Sequence, residues 1–175
     1  MKRLLLGLLA ITPALASAAG AQSSCVSKQD MVSSFRQGIV LNQQFKASIH
    51  QGGEAYRRLR HDTEAFEEAV LESCMRRAVK RLTQDADRQL LHELLSVAVS
   101  FQNSASEAYS ESVAELFIRS PDWLERGISS FPPADQRVLL QRLSEGWKTI
   151  QSKLPLTLIK ARQTRLQRLL RAVNG

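Results

Sequence analysis

Apolar residues recur along most of the chain at the spacing of an α-helix. Within residues 54–82, for example, the apolar side chains lie three, four or seven positions apart, so they share one helical face. After Ser27 there is no sustained alternation of apolar and polar residues, the pattern typical of a half-buried β-strand. We therefore predict an all-α fold, an elongated antiparallel bundle of four or five helices.

Local signals place the ends of the first two helices. Ser27 has the side chain of an N-cap, and Asp30 stands three positions later, where a carboxylate favours the positive end of a helix. Gly52 and Gly53 are expected to end this first helix, because glycine adopts the left-handed backbone of a helix terminus at little cost. A second helix over about 54–82 is predicted to fold back beside the first.

A long third helix is predicted over about 85–119. At the usual rise it would span about 50 Å, unless Asn103-Ser104 interrupts it. Pro121 suits the first position of a helix, which predicts a short helix over 123–128. A longer helix is expected to follow Pro133.

Pro155 divides the C-terminal part of the chain. Proline lacks an amide donor and clashes with the preceding turn, so it either kinks a helix or begins a new one. We predict a final helix over about 156–173.

The first residues have the order of regions typical of a secretory signal peptide, 1–21. Two basic residues precede an apolar run over 4–15, and small residues follow at 16–21. The run is about 12 residues long, whereas a membrane-spanning helix needs about 20, so we expect cleavage after Ala21 rather than a retained anchor. The remainder, 22–175, is then a single helical domain exported to the periplasm, with secretion as the alternative.

The two cysteines, Cys25 and Cys74, are predicted to form a disulfide. An even pair of cysteines in an oxidising compartment is typically joined. If the first two helices fold back about the Gly-Gly turn, the residue opposite Cys25 lies near position 80, within two helical turns of Cys74. The bond would close the open end of this helical hairpin.

Positive charge is concentrated at the C-terminus. The formal net charge is +7, yet residues 22–145 hold slightly more acidic than basic side chains. Residues 146–175 contain no acid and several cations: Lys148, Lys153, Lys160, Arg162, Arg165, Arg168 and Arg171. Such asymmetry favours an anionic partner, or an acidic surface elsewhere on the same fold.

The predicted final helix supplies the candidate interaction surface. On a helical wheel most of its basic residues occupy one arc and its leucines occupy the opposite arc, while Arg162 alone intrudes among the leucines. The helix could lie on an anionic membrane with its leucines in the lipid, or it could pack its leucines into the bundle and expose its arginines. The candidate surface consists of Lys160, Arg162, Arg165, Arg168 and Arg171.

Other charged and aromatic groups have ordinary structural interpretations. Glu107, Glu111 and Glu115 form an acidic ridge that could bind cations or the basic tail, or could simply face solvent. The basic and acidic residues within 57–81 are spaced to form ion pairs along one solvated helix. Trp123 is expected to fill the core or its edge, with a protein-contact loop as the alternative.

Motifs of catalysis, metal binding and nucleic-acid binding are not found in the sequence. The three histidines are isolated, and there is no Glu-x-x-His, His-Glu-x-x-His or Gly-x-Ser-x-Gly. The adjacent Glu67 and Glu68 diverge across a helix, which does not suit a pair of catalytic carboxylates. The basic tail lacks the interleaved aromatic residues that stack on nucleic-acid bases. We expect no catalytic, metal or cofactor site and no nucleic-acid partner.

These observations lead to a hypothesis about function. The chain is interpreted as a non-enzymatic exported protein that binds another protein or an anionic envelope component through its basic C-terminal surface. The alternative is a peripheral membrane protein that binds lipid with the same helix. A third hypothesis is a hydrolase whose site assembles from scattered residues.

Overall fold

The computed structural model of the protein describes residues 25–174, and the predicted signal peptide lies outside them. All regular elements within that range are helical, which confirms the all-α prediction. Counting α2, with its π-helical turn, as one continuous helix, the helices are α1 Lys28–Ser48, α2 composed of Gly53–Phe66, the π-helical turn Glu67–Leu71 and Glu72–Leu82, α3 Arg88–Ser100, α4 Ala108–Arg119, α5 Pro121–Ser129, α6 Pro133–Ile150 and α7 Leu156–Asn174.

The predicted number of four or five helices is wrong, because residues 25–174 form seven. One cause is the predicted third helix, which the structure divides at residues 101–107 into α3 and α4, so the interruption that the sequence left open at Asn103-Ser104 is present. The carbonyl of Ser100 accepts hydrogen bonds from Asn42 at 2.6 Å and from Lys46 at 2.7 Å, both on α1. The guanidinium of Arg142, on α6, donates to the Phe101 carbonyl at 2.6 Å. These side chains satisfy the last carbonyls of α3, so the helix can end there.

The start of α1 and the turn after it agree with the sequence prediction. Ser27 caps α1 by accepting from the Asp30 amide at 3.0 Å, and the Asp30 carboxylate accepts from the Ser27 amide at 2.9 Å. This reciprocal capping box satisfies two amides that have no partner within the helix. Gly52 and Gly53 have φ angles of 61° and 71°, so the left-handed turn that they were expected to make is present.

The later helices follow the proline signals. The predicted short helix is α5, with Pro121 at its first turn, and α6 begins at Pro133. After α6 a 3₁₀ turn, Gln151–Lys153, precedes Pro155, and α7 starts directly after the proline. Pro155 therefore starts a new helix and does not kink an existing one, which was the second of the two predicted outcomes.

All seven helices contribute side chains to the core, and within it α4 and α6 make the most extensive helix contact in the described part of the chain. Phe117 of α4 and Trp147 of α6 meet there edge to face, with ring centroids 6.3 Å apart. Elsewhere in the fold, α1 packs against α2 and α3. Among residues 25–174, none of the helices has the combination of length and hydropathy that a bilayer crossing requires.

Candidate functional site

The C-terminal helix α7 packs its apolar side against the rest of the fold. Leu166 is only 3% exposed and belongs to the core, and Ile159, Leu169 and Leu170 are half-buried against it. Leu156, at the start of α7, is 75% exposed. The leucine face that the sequence offered to either a membrane or the protein interior is therefore largely used inside this molecule.

Arg165 fastens α7 to α5. Its guanidinium forms ion pairs with Asp122 and Glu125, and its side chain is mostly buried between the two helices. The hydrogen bond to Glu125 raises the pKa of Arg165, and the hydrogen bond from Arg165 lowers the pKa of the Asp122 carboxyl. This candidate surface residue is thus engaged within the protein.

Arg162 has a second internal contact. It donates a hydrogen bond of 2.8 Å to the carbonyl of Ile118, in the last turn of α4. Carbonyls at the end of a helix lack partners within it, so the arginine both satisfies one and places a cation at the negative end of α4. Its intrusion into the apolar arc was the sequence signal that pointed toward such a contact.

The remaining three cations of the candidate surface face outward. Lys160 and Arg171 are exposed, and the Arg168 side chain is 68% exposed although one of its nitrogens lies 3.7 Å from Glu125. At about 100° per residue these three side chains fall within one quarter of the helix circumference. We call Lys160, Arg168 and Arg171 the basic stripe.

Cys25 and Cys74 are joined in a disulfide, in agreement with the predicted pair. The two Cα atoms are 5.2 Å apart, and both cysteines are buried. Cys25 precedes α1 and Cys74 lies in the second half of α2, so the bond links the two ends of the hairpin farthest from Gly52-Gly53. The cysteines therefore crosslink the segment before α1 to the second half of α2.

A cleft that the sequence did not reveal lies between α3 and α5. Its volume is about 530 Å³, and apolar surface predominates on its walls. The Trp123 ring is half-buried there, and the His92 ring at its edge stacks on Phe131 with centroids 4.8 Å apart. The lining residues are Ala86, Arg88, Leu91, His92, Trp123, Arg126, Gly127 and Ser130. Only the position of Trp123 beside prolines hinted at a surface in this region.

A second groove, of about 700 Å³ and lined by several charged and hydroxyl side chains, lies beside the π-helical turn of α2. Glu67 accepts a hydrogen bond from Ser104, and Glu72 accepts one from Ser106 at 2.7 Å. These bonds hold the 101–107 connection against α2. Next to them the fully buried hydroxyl of Tyr109 has no hydrogen-bond partner within residues 25–174, and burial followed by the charge of Glu67 raises its pKa.

Some residues of the acidic and basic clusters named from the sequence are paired along their own helices, while others, such as Arg57, Arg58 and Arg77, are exposed and make no ion pair within residues 25–174. Arg60 contacts Glu64 at 2.8 Å on α2, and Arg119 contacts Glu115 at 2.8 Å at the end of α4. Glu107 is exposed and Glu111 is half-buried. Over residues 25–174, histidine, cysteine, aspartate and glutamate do not gather in groups of three that could hold a metal ion.

The sequence matches no protein-family model, and comparisons with curated proteins and with solved structures found no match. Inferences about the function of this protein therefore rest on its own side chains and their geometry.

Proposed function

We propose that the chain is an exported, non-enzymatic protein, built as an antiparallel helical bundle, that binds another protein or an anionic envelope component. The disulfide between Cys25 and Cys74 supports an oxidising compartment, because such bonds persist outside the reducing cytosol. Together with the signal pattern over 1–21, this favours the periplasm, with secretion as the alternative.

The main support for the proposal is that the cations of α7 fall into two groups, one bound within the protein and one facing outward. Arg162 and Arg165 make contacts inside the protein, whereas the basic stripe faces outward from a helix that is already packed on its apolar side. Lys160 and Arg171 are separated by three helical turns, about 16 Å along the axis. A row of cations of this length is complementary to an acidic helix or to a linear polyanion.

The structure favours a protein partner over insertion of α7 into a membrane. Insertion of the leucine face would require Leu166 to leave the core and Arg165 to give up its contacts with α5. Attraction of the folded protein to anionic headgroups needs neither step, and Leu156 offers an exposed apolar side chain near the stripe. Binding of the folded protein to an anionic membrane surface is therefore the alternative that the test must distinguish.

The test uses a photo-crosslinking amino acid at Thr164, an exposed position in the middle of the stripe. The full chain is expressed with its own leader and irradiated in cells. A variant with Lys160, Arg168 and Arg171 changed to Gln removes the stripe. The control changes Arg57, Arg58 and Arg77 to Gln, which removes the same charge from exposed positions on α2.

We expect one discrete protein adduct at Thr164, lost in the stripe variant and retained in the control. The purified protein is also floated with anionic and zwitterionic liposomes at low and moderate salt. Stripe-dependent flotation with anionic liposomes, without a protein adduct, would overturn the protein-binding proposal in favour of the membrane alternative. Adducts that persist in the stripe variant would show that the stripe does not bind the partner.

A further inference from the structure

The cleft between α3 and α5 combines an apolar wall with positively charged side chains. Leu91 and Trp123 supply apolar surface, while Arg88, Arg126 and His92 supply hydrogen-bond donors around it. A volume of about 530 Å³ is in the usual range for a site that holds a small organic molecule. Such sites typically have mainly apolar walls and a few polar groups that orient the ligand.

The positive charge at this cleft is not offset by acids in its lining. Two of the aspartates that adjoin lining residues in sequence, Asp87 and Asp122, have other partners, whereas Asp85, next to Ala86, is exposed and makes no ion pair within residues 25–174. Asp87 pairs with Lys28 at 2.7 Å and caps α3, and Asp122 pairs with Arg165. The α5 carboxylates are thus held by α7, and the guanidinium groups of Arg88 and Arg126 make no ion pair with residues 25–174.

We propose that this cleft binds a small amphipathic organic carboxylate, such as a medium-chain fatty acid. The apolar body would lie on Leu91 and Trp123, and the carboxylate would accept hydrogen bonds from Arg88 and Arg126. A guanidinium presents two parallel donors that match the two oxygens of a carboxylate, and the indole face covers apolar groups. This site is separate from the basic stripe, and it stands or falls independently of the function proposed above.

Tryptophan fluorescence can report ligand binding in the cleft. Its two tryptophans are Trp123, half-buried in the cleft, and Trp147, which is 2% exposed and donates to Gln163 at 2.7 Å. Ligand entry would change the surroundings of Trp123 and leave those of Trp147 in place. Tryptophan fluorescence of the Trp147→Phe protein therefore reports the cleft alone.

The experiment titrates this protein with sodium decanoate below its micelle concentration. Decanol, decyltrimethylammonium and inorganic phosphate are titrated in parallel, because they separate the apolar body from the anionic group. Isothermal calorimetry of the wild-type protein with the same four compounds provides a second measurement, so a folding defect of the Trp147→Phe protein leaves the proposal testable.

We expect saturable binding of decanoate and binding at least tenfold weaker for the other three compounds. A variant with Arg88→Gln and Arg126→Gln should raise the Kd for decanoate at least tenfold, since each charge-assisted hydrogen bond lost typically weakens binding by that much. The charge-matched control Arg57→Gln with Arg58→Gln, and the variant that lacks the basic stripe, should bind as the wild type does.

The proposal would be overturned by the absence of saturable decanoate binding in both methods, or by equal binding of decanol or decyltrimethylammonium. A Kd for decanoate that the Arg88→Gln and Arg126→Gln changes leave unaltered would overturn it as well. Binding of phosphate as tight as that of decanoate would also refute it, because the cleft would then recognise charge alone. Circular dichroism and the Tm of each variant establish that it is folded.

Discussion

Gly146 of α6 lies directly against the backbone of Ser110 on α4. A Cβ atom at position 146 would collide with the carbonyl oxygen of Ser110 and would lie 3.0 Å from the Cβ of Ala114. The absence of a side chain thus allows α4 and α6, the pair of helices with the most extensive contact, to approach closely. Gly146 and Ser110 are far apart in sequence, so only the tertiary fold brings them into contact.

The first prediction is that Gly146→Ala strongly destabilises the protein. The new methyl group meets backbone, which cannot rotate away, so α4 and α6 must separate and lose packing. We expect the free energy of unfolding, measured by urea denaturation, to fall by about 3 kcal/mol. The cost outweighs the gain of about 1 kcal/mol that alanine normally brings to a helix interior.

Gly38→Ala serves as the matched control for that prediction. Its Cβ would meet only the side-chain end of Leu71, 2.7 Å away, and this flexible group can move. The intrinsic helix preference of alanine offsets part of that cost, so the net change should stay below about 1 kcal/mol. Equal losses in the two variants would contradict the special role given to the contact between Gly146 and Ser110.

The second prediction concerns the disulfide. A variant with Cys25→Ala and Cys74→Ala loses a crosslink that spans 49 residues, which constrains the unfolded chain. The chain-entropy model gives a loss of about 4 kcal/mol in the free energy of unfolding. Reduction of the wild-type protein should lower its Tm to that of the variant and leave the variant unchanged. Two reactive thiols in the denatured, unreduced wild-type protein would show that the bond is absent.

Helix content was predictable from the sequence because helices depend on local patterns. The Ser27 cap, the Gly52-Gly53 turn and the restart after Pro155 were readable, since each is determined by a residue's own backbone preference or by neighbours within one turn. The break at 101–107 falls at Asn103-Ser104, where the sequence left an interruption open, but the local pattern alone could not decide whether the helix ends there. Its carbonyls are satisfied by side chains of α1 and α6, which are distant in sequence.

The candidate surface was predictable only in part for the same reason. The wheel of the final helix identified its charged arc, but the partners of Arg165 lie on α5, about 40 residues earlier. A sequence pattern within one helix cannot show that an arginine is already paired. The cleft was hidden because α3 and α5 each contribute only a few scattered residues to it.

The third prediction concerns Arg142, a buried cation that holds the connection between α3 and α4. Its guanidinium donates to the carbonyls of Phe101 and Ser104 and to the Ser110 hydroxyl, and its side chain is 7% exposed. Arg142→Met keeps an unbranched stem but removes the guanidinium donor from these acceptors, of which the Phe101 carbonyl retains only its bond from the Ser104 amide. We expect a loss of about 3 kcal/mol in the free energy of unfolding.

Hydrogen exchange distinguishes this local role of Arg142 from a general packing defect. In the Arg142→Met protein the amides of residues 101–107 should exchange faster than the rest of the core, because the connection opens first. Arg142→Lys keeps one donor and should have an intermediate effect. A uniform increase in exchange over all helices, with no excess at 101–107, would argue against the role.

The last prediction is a loss of stability in acid that depends on two aspartates. The hydrogen bond from Lys28 lowers the pKa of the Asp87 carboxyl below its ordinary value of 3.8, and Arg165 does the same for Asp122. A carboxyl whose pKa is lower in the folded state binds fewer protons there than in the unfolded chain. Its stabilising contribution is therefore complete above the ordinary pKa and disappears as the pH falls through the folded pKa.

The variant with Asp87→Asn and Asp122→Asn tests this linkage. Asparagine caps helices about as well as aspartate, so the N-cap of α3 is retained while the charge is removed. The variant should be less stable than the wild type at pH 7, and the difference should shrink as the pH is lowered from about 5 to 2. Asp85→Asn, at an exposed position that makes no ion pair within residues 25–174, is the control and should follow the wild-type curve. A wild-type acid limb parallel to that of the double variant would mean that these two ion pairs do not contribute to stability.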